Sequence, residues 1–113
     1  MPNPIETVLQ NHLQAAAVSV AAVMNDYTEA SVLVTHDATF RGLAEIRGFF
    51  TNLLEGPTRG FVAAIKLKRA EVIGDMAYIA WEAMPWFRFG TDTFFISNGK
   101  IAFQTFGGLS TAT

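Results

Sequence analysis

Residues 87–109 read FRFGTDTFFISNGKIAFQTFGGL, a run rich in aromatic and β-branched side chains with Asn98-Gly99 near its middle. Asn and Gly tolerate positive φ, which a two-residue hairpin turn requires. The stretch therefore predicts two antiparallel strands, 87–97 and 100–109, joined by a tight turn.

The sequence before this hairpin predicts more strands. Residues 61–73 contain the alternation Ile65-Lys66-Leu67-Lys68, and Gly74-Asp75 marks a turn into a returning strand at 76–84. The β-branched run at 31–35 predicts a short strand, and residues 36–38 predict a turn after it.

Three helices are predicted nearer the N-terminus. The first is opened by Pro4, and the second is capped by Ser19 and spans 20–27. The third begins at Gly42 and is ended by Gly56-Pro57. Apolar residues recur at helical spacing in the first helix (Val8, Leu9, Leu13, Ala16) and in the third (Leu43, Ile46, Phe49, Phe50, Leu53, Leu54). Helices followed by a strand meander predict one α+β domain over residues 1–113, with the helices on one face of a curved antiparallel or mixed sheet.

The composition is unusually apolar for a chain of 113 residues. Half of the residues are hydrophobic, only 16% are charged, and the aromatic residues are ten Phe, two Trp and two Tyr. Exposed apolar surface on that scale marks ligand pockets or association surfaces. We therefore expect a roomy apolar pocket, a homodimer interface, or both.

Charge and cysteine content narrow the classes of partner. The net charge is −2 and the charges are scattered, so a nucleic-acid groove is not expected. The chain contains no cysteine, which excludes disulfides and thiol chemistry and fits a reducing compartment. The uncharged stretch 7–25 is interrupted by polar residues and is not preceded by a basic segment, so we expect a cytoplasmic protein without a membrane span.

Four segments, taken in order, resemble the nuclear transport factor 2-like superfamily: VLVTHDATFRG at 32–42, EIRGFF at 45–50, GTDTF at 90–94 and NGKI at 98–101. The resemblance is strongest to the SnoaL-like branch, which is related to ketosteroid isomerase and polyketide cyclases. It implies a cone-shaped fold with an apolar pocket at its wide end, and homodimers that form through the outer face of the sheet. It leaves the chemistry open, because one fold hosts many functions.

Asp92 is the first candidate catalytic residue. It lies between Thr91 and Thr93 in a strand rich in Phe, where loss of solvation raises the pKa of a carboxyl and favours the neutral acid. The resemblance places Asp92 at the position of the neutral aspartic acid that donates a hydrogen bond in ketosteroid isomerase. The alternative is a structural Asp bonded to nearby hydroxyls or backbone.

His12 is the second candidate. Its neighbours on the helix predict that it faces inward, and the resemblance aligns it with the tyrosine of the isomerase oxyanion hole. The isomerase general base falls on Gly42, which cannot accept a proton. Other candidate bases are weak: Glu82 points away from Trp81 on its strand, and the turn residues His36 and Asp37 are explained by solvation.

Six aromatic residues are predicted to line a pocket for a small apolar molecule: Tyr27, Trp81, Trp86, Phe89, Phe94 and Phe103. Such residues equally suit a plain core or a dimer interface. No motif for a cofactor, a phosphate or a metal is found. Two functions remain open: acid-base chemistry on a small apolar carbonyl compound, and a non-catalytic module that binds a hydrophobic ligand or dimerises.

Overall fold

The computed structural model describes residues 3–111, which form a single mixed sheet with helices on one of its faces. The elements in chain order are α1 (Pro4–Ala16), α2 (Val20–Met24), β1 (Val32–Val34), β2 (Thr39–Arg41), α3 (Gly42–Glu55), α4 (Phe61–Ala64), β3 (Lys66–Ile73), β4 (Met76–Ala83), β5 (Phe87–Ser97) and β6 (Lys100–Ser110). The strand order is β2-β1-β6-β5-β4-β3, and β1 and β6 form the one parallel pair among these strands. The α+β prediction is confirmed.

Local signals place several elements correctly. The hairpin turn between β5 and β6 has Asn98 at φ 53° and Gly99 at φ 75°, as the Asn-Gly pair predicts. Pro4 opens α1, and the Ser19 hydroxyl accepts a hydrogen bond from the Ala22 amide at the start of α2. The third predicted helix, α3, ends at Gly56.

Three local features differ from the sequence predictions. Residues 61–64 form the short helix α4 instead of a strand, because Gly60 at φ 93° starts a turn that carries Phe61 into the core against Trp81, at 5.9 Å between ring centroids. Helix α2 stops at Met24, before Tyr27. Strand β2 was not predicted, because three residues are too few to show an alternation.

The core lies between the helices and the concave face of the sheet. Helix α3 contributes Ile46, Phe50 and Leu53, which follow one another at helical spacing and are buried. Helix α1 buries Leu9 and His12 toward the same space. Among residues 3–111, no helix has both the length and the apolar character needed to cross a membrane.

Irregularities in the strand pairing bend the sheet around this core. The register shifts between Phe87 and Phe89 and between Phe95 and Ile96 on β5, and between Trp81 and Ala83 on β4. A β-bulge adds a residue to one strand, which bends it and reverses the faces to which later side chains point. The bulges therefore decide which aromatic residues reach the interior.

The contribution of the β5–β6 turn to stability is tested by replacing its Gly99, with Gly48 in α3 as the comparison. Gly99 has positive φ, so Gly99→Ala is expected to lower the free energy of unfolding by about 1–2 kcal/mol. Gly48 lies within α3, where a methyl group added at its Cα would meet no atom of another element within 4 Å, so Gly48→Ala should raise that free energy by about 0.5–1 kcal/mol. Urea unfolding of both variants measures these two changes in the free energy of unfolding. Equal changes in the two variants would contradict the prediction.

Candidate functional site

A small cavity lies between the helices and the concave face of the sheet. Its volume is about 50 Å³. A buried water occupies about 10–15 Å³ on this scale, so the cavity has room for roughly three to five waters. It is lined by His12, Leu13, Ala16, Phe50, Leu53, Leu54, Phe61, Val62, Ile65, Ile79, Trp81, Asp92, Phe94, Gln104 and Phe106. The cavity is therefore much smaller than the roomy pocket expected from the composition, and a steroid does not fit in it.

Asp92 is the acidic group in the cavity wall. The indole Nε1 of Trp81 donates to Oδ1 at 2.9 Å, and the amide Nε2 of Gln104 donates to Oδ2 at 2.9 Å. Burial raises the pKa of Asp92 to about 6, against the opposing effects of these two donors and of His12. The neutral acid is thus half populated near pH 6 and is about one tenth of the population at pH 7.

A second layer of side chains orients Gln104. The hydroxyl of Tyr27 donates to the Gln104 Oε1 atom, which leaves the Gln104 amide nitrogen directed at Asp92. Burial, reinforced by the negative charges of Asp92 and Asp26, raises the pKa of Tyr27 above its ordinary value. Tyr27 is therefore a neutral hydrogen-bond donor, and it holds the amide in one orientation.

His12 is paired with an acid that the sequence did not single out. Its Nδ1 lies 3.0 Å from Oδ2 of Asp26, at the end of the turn that follows α2. A carboxylate only accepts hydrogen bonds, so Nδ1 carries the hydrogen. Because Nδ1 is engaged by Asp26, Nε2 is the ring nitrogen that His12 can offer to a molecule in the cavity that it lines. This is the arrangement in which an acid orients a histidine base.

Gly90 determines where the Trp81 ring lies. The two residues face each other across β4 and β5, and a Cβ atom on Gly90 would lie 2.2 Å from the indole ring. Any larger residue at position 90 would displace the ring and with it the hydrogen bond to Asp92. Gly90 is therefore a positioning residue for the acid, although it does not touch the cavity.

The six predicted pocket aromatics are divided between several places. Trp81 and Phe94 line the cavity. Tyr27 is buried behind the wall, and Trp86 packs near Gly60 outside the lining. Phe89 and Phe103 are 49% and 56% exposed on the sheet and do not line this cavity. The bulges in the β5–β6 pairing turn these two rings outward.

The residues considered as general bases lie in different parts of the fold. Gly42 starts α3 at φ 81°, and a Cβ atom there would lie 3.3 Å from the Glu29 carbonyl oxygen, so an Asp would be strained as well as crowded. Glu82 pairs with Lys68 at 3.1 Å. His36 and Asp37 are exposed and lie 3.3 Å apart. None of these groups lines the cavity.

Sequence reasoning missed Asp26 and Gln104. Asp26 falls in the segment that was predicted to continue α2, and its approach to His12 depends on how α1 and α2 pack. Gln104 lies between two outward-facing residues, Phe103 and Thr105, so its side chain points into the interior. An amide that is buried in an apolar strand needs a hydrogen-bond partner there, and for Gln104 this partner is Asp92. Within residues 3–111, no group of three His, Asp or Glu side chains could hold a metal ion.

No family model matches the sequence, and neither does any curated protein. Solved structures do match. An NTF-2 like protein of unknown function from Burkholderia xenovorans LB400 has a TM-score of 0.77 at 15% identity, over 95% of this chain and 84% of that one. A Sinorhizobium meliloti protein proposed to be a polyketide cyclase has a TM-score of 0.72 at 18% identity, over 94% of each chain.

A de novo designed protein with a curved β-sheet is equally similar. Its TM-score is 0.76 at 18% identity, over 96% of this chain and 88% of the designed one. Identities this low carry the fold and nothing of the chemistry. The chain therefore has the nuclear transport factor 2-like fold that its sequence resembles.

The raised pKa of Asp92 makes stability depend on pH. The folded state binds the proton more tightly than the unfolded state, so this group stabilises the fold at low pH and that contribution is lost as pH rises through about 6. Its share of the free energy of unfolding should fall by about 2 kcal/mol between pH values of about 4.5 and 7.5.

Asp92→Asn provides the matched comparison, because an amide stays neutral across this range. Urea unfolding of the native protein and the variant at both pH values isolates the contribution of Asp92 from that of the other carboxyls. An identical pH dependence in the two proteins would contradict the assignment.

Proposed function

We propose that the cavity takes the reacting part of a small apolar carbonyl compound, and that His12 and Asp92 transfer protons on it. The supporting observation is that two titratable side chains, each held by a second polar residue, meet on the wall of an otherwise apolar cavity. Carboxyl groups with a raised pKa, such as that of Asp92, are found preferentially in active sites. The resemblance to the SnoaL-like branch favours an isomerase, cyclase or dehydratase type of reaction, and the similar Sinorhizobium protein is itself proposed to be a polyketide cyclase.

In this mechanism His12 is the general base, because Gly42, at the position of the isomerase base, cannot accept a proton. Asp26 holds the Nδ1 hydrogen, so the Nε2 lone pair accepts a proton from the carbon next to the carbonyl. The C–H bond breaks, its electron pair forms the enol double bond, and the carbonyl oxygen takes the proton of neutral Asp92. Return of a proton from His12 to the same or another carbon, and of the hydroxyl proton to Asp92, restores both groups.

Catalysed exchange of α-protons with solvent tests this proposal directly. Acetone and cyclopentanone are incubated with the protein in D2O, and the loss of the α-proton signal is followed by NMR. We expect exchange that slows as pH rises above about 7, because His12 must be unprotonated and little Asp92 then keeps the proton that it donates. His12→Gln and Asp92→Asn should each reduce the rate by about 10²-fold or more.

Glu82→Gln is the control, since Glu82 lies outside the cavity and pairs with Lys68. It should exchange protons at the native rate. Native-rate exchange in His12→Gln would refute the role of the base. No exchange above buffer with either ketone would refute the catalytic proposal for substrates of this size.

The alternative function is a non-catalytic module that binds a small hydrophobic molecule. It is favoured by the completeness of the polar network: among residues 3–111, no buried side-chain nitrogen or oxygen lacks a hydrogen-bond partner. Such a network is stable without any ligand.

Under either function we place the protein in the cytoplasm, because the chain has no cysteine and no motif for nucleic acid or membrane binding.

We also propose that the protein is a homodimer formed through the outer face of the sheet. Phe95 and Phe103 are cross-strand partners there, with exposed fractions of 49% and 56%, and Val34 on β1 is 41% exposed beside them. A contiguous apolar patch of this kind is typical of an interface.

Sedimentation at micromolar concentration should give twice the 12.3 kDa mass of the chain. Phe103→Lys should shift the protein to monomer, because it buries a charge in the interface. Val18→Lys is the matched control: Val18 is 75% exposed, lies between α1 and α2, and lines a different groove from that of Phe95 and Phe103. A monomeric native protein, or a Phe103→Lys dimer as stable as the native one, would contradict the proposal.

A further inference from the structure

The cavity is walled by aromatic rings on several sides. Five of its lining residues are aromatic and come from α3, α4 and three strands: Phe50, Phe61, Trp81, Phe94 and Phe106. The centroid of the Trp81 ring lies 5.9 Å from the ring centroid of Phe61 and 5.8 Å from that of Phe106. The faces of such rings carry negative electrostatic potential, which attracts cations.

The same cavity carries negative charge that no Lys or Arg side chain of residues 3–111 neutralises. Asp92 accepts hydrogen bonds from two neutral donors, Trp81 and Gln104. The part of the chain that the structure describes contributes no Lys or Arg to the lining, and the Lys68 and Arg69 ion pairs involve Glu82 and Glu71 instead. Of the lining residues named above, His12 alone can become cationic, and its Nδ1 already faces a second carboxylate, Asp26.

Charge balance therefore leaves this cavity anionic. With Asp92 ionised and the imidazole neutral, the lining residues carry a net charge of −1, and Asp26, which lies outside the lining, faces His12 with a second carboxylate. A carboxylate removed from water gains most from an opposite charge brought into direct contact. The walls, however, are hydrocarbon and offer few sites to a hydrated ammonium.

The volume indicates the kind of cation that fits. The cavity, at about 50 Å³, has room for roughly three to five water-sized groups. A methylated ammonium group has one nitrogen and up to four carbons, carries a full charge, and is weakly hydrated. Aromatic walls recognise quaternary ammonium groups in this manner.

We propose that the cavity binds a small methylated ammonium group, with the ammonium charge facing the Asp92 carboxylate and its methyl groups packed against the aromatic rings. The proposal concerns binding alone and does not depend on proton transfer. It also requires the opposite protonation state of Asp92, because the carboxylate binds the cation whereas the neutral acid serves the carbonyl reaction.

A ligand longer than the head group has a place to extend. Ala16, Leu54 and Val62 line both the cavity and a neighbouring surface groove of about 360 Å³. The groove continues over Ser19 and Glu55, which offer polar partners to a substituent on the ammonium. The site therefore suits an ammonium head group attached to a short polar chain.

Choline and 3,3-dimethylbutan-1-ol are the probes, because they have the same shape and differ in charge. Titration calorimetry at pH 7.5 should show choline binding at least about tenfold more tightly than the neutral alcohol. The preference should weaken at about pH 5, where Asp92 is mostly protonated. Asp92→Asn should abolish the preference while it still binds the alcohol, which shows that the variant is folded.

A second variant examines the aromatic wall. Phe61→Leu removes a ring and keeps an apolar side chain, so it should weaken choline binding more than alcohol binding. Equal affinities for the two probes in the native protein, or an unchanged choline preference in Asp92→Asn, would overturn the proposal. The ketone exchange assay is read separately: choline selectivity without exchange refutes catalysis alone, and exchange without choline selectivity refutes the cation site alone.

Discussion

The buried carboxylate of Asp92 is the constraint on which the interior depends. It sits at the centre of the sheet and receives hydrogen bonds from Trp81 on β4 and Gln104 on β6, so one ionisable group links three neighbouring strands. A buried carboxylate is tolerated only when its oxygens are satisfied. The Tyr27 hydroxyl and the glycine at position 90 follow from this requirement, since one orients the amide and the other makes room for the indole.

The same bulges that curve the sheet divide its aromatic residues into two groups with different environments. Phe94 faces the cavity and its neighbour Phe95 faces outward, as strand alternation requires. After each register shift the alternation restarts on the other face, and this is why Phe89 and Phe103 are outside. One apolar-rich sequence thus supplies both a small internal cavity and an exposed apolar surface.

Some of the polar residues of the site can be predicted from the sequence, and others cannot. Asp92 and His12 are polar residues in strongly apolar surroundings, so their burial and the raised pKa of Asp92 follow from local composition. Asp26 and Gln104 complete the site, but each depends on a contact between elements distant in the chain. The volume of the cavity likewise depends on the sum of many packing contacts, which composition does not contain.

Most of the elements and their order follow from the amino-acid sequence, because turn residues such as Asn98-Gly99 and the apolar spacing of α3 act within a few residues of chain. The burial of a carboxyl and an imidazole follows from the sequence as well. The meeting of His12 with Asp26, the outward position of Phe103 and the small size of the cavity arise only in the folded chain. These outcomes depend on strand register and helix packing, and a shift of one residue in register reverses the faces of a strand.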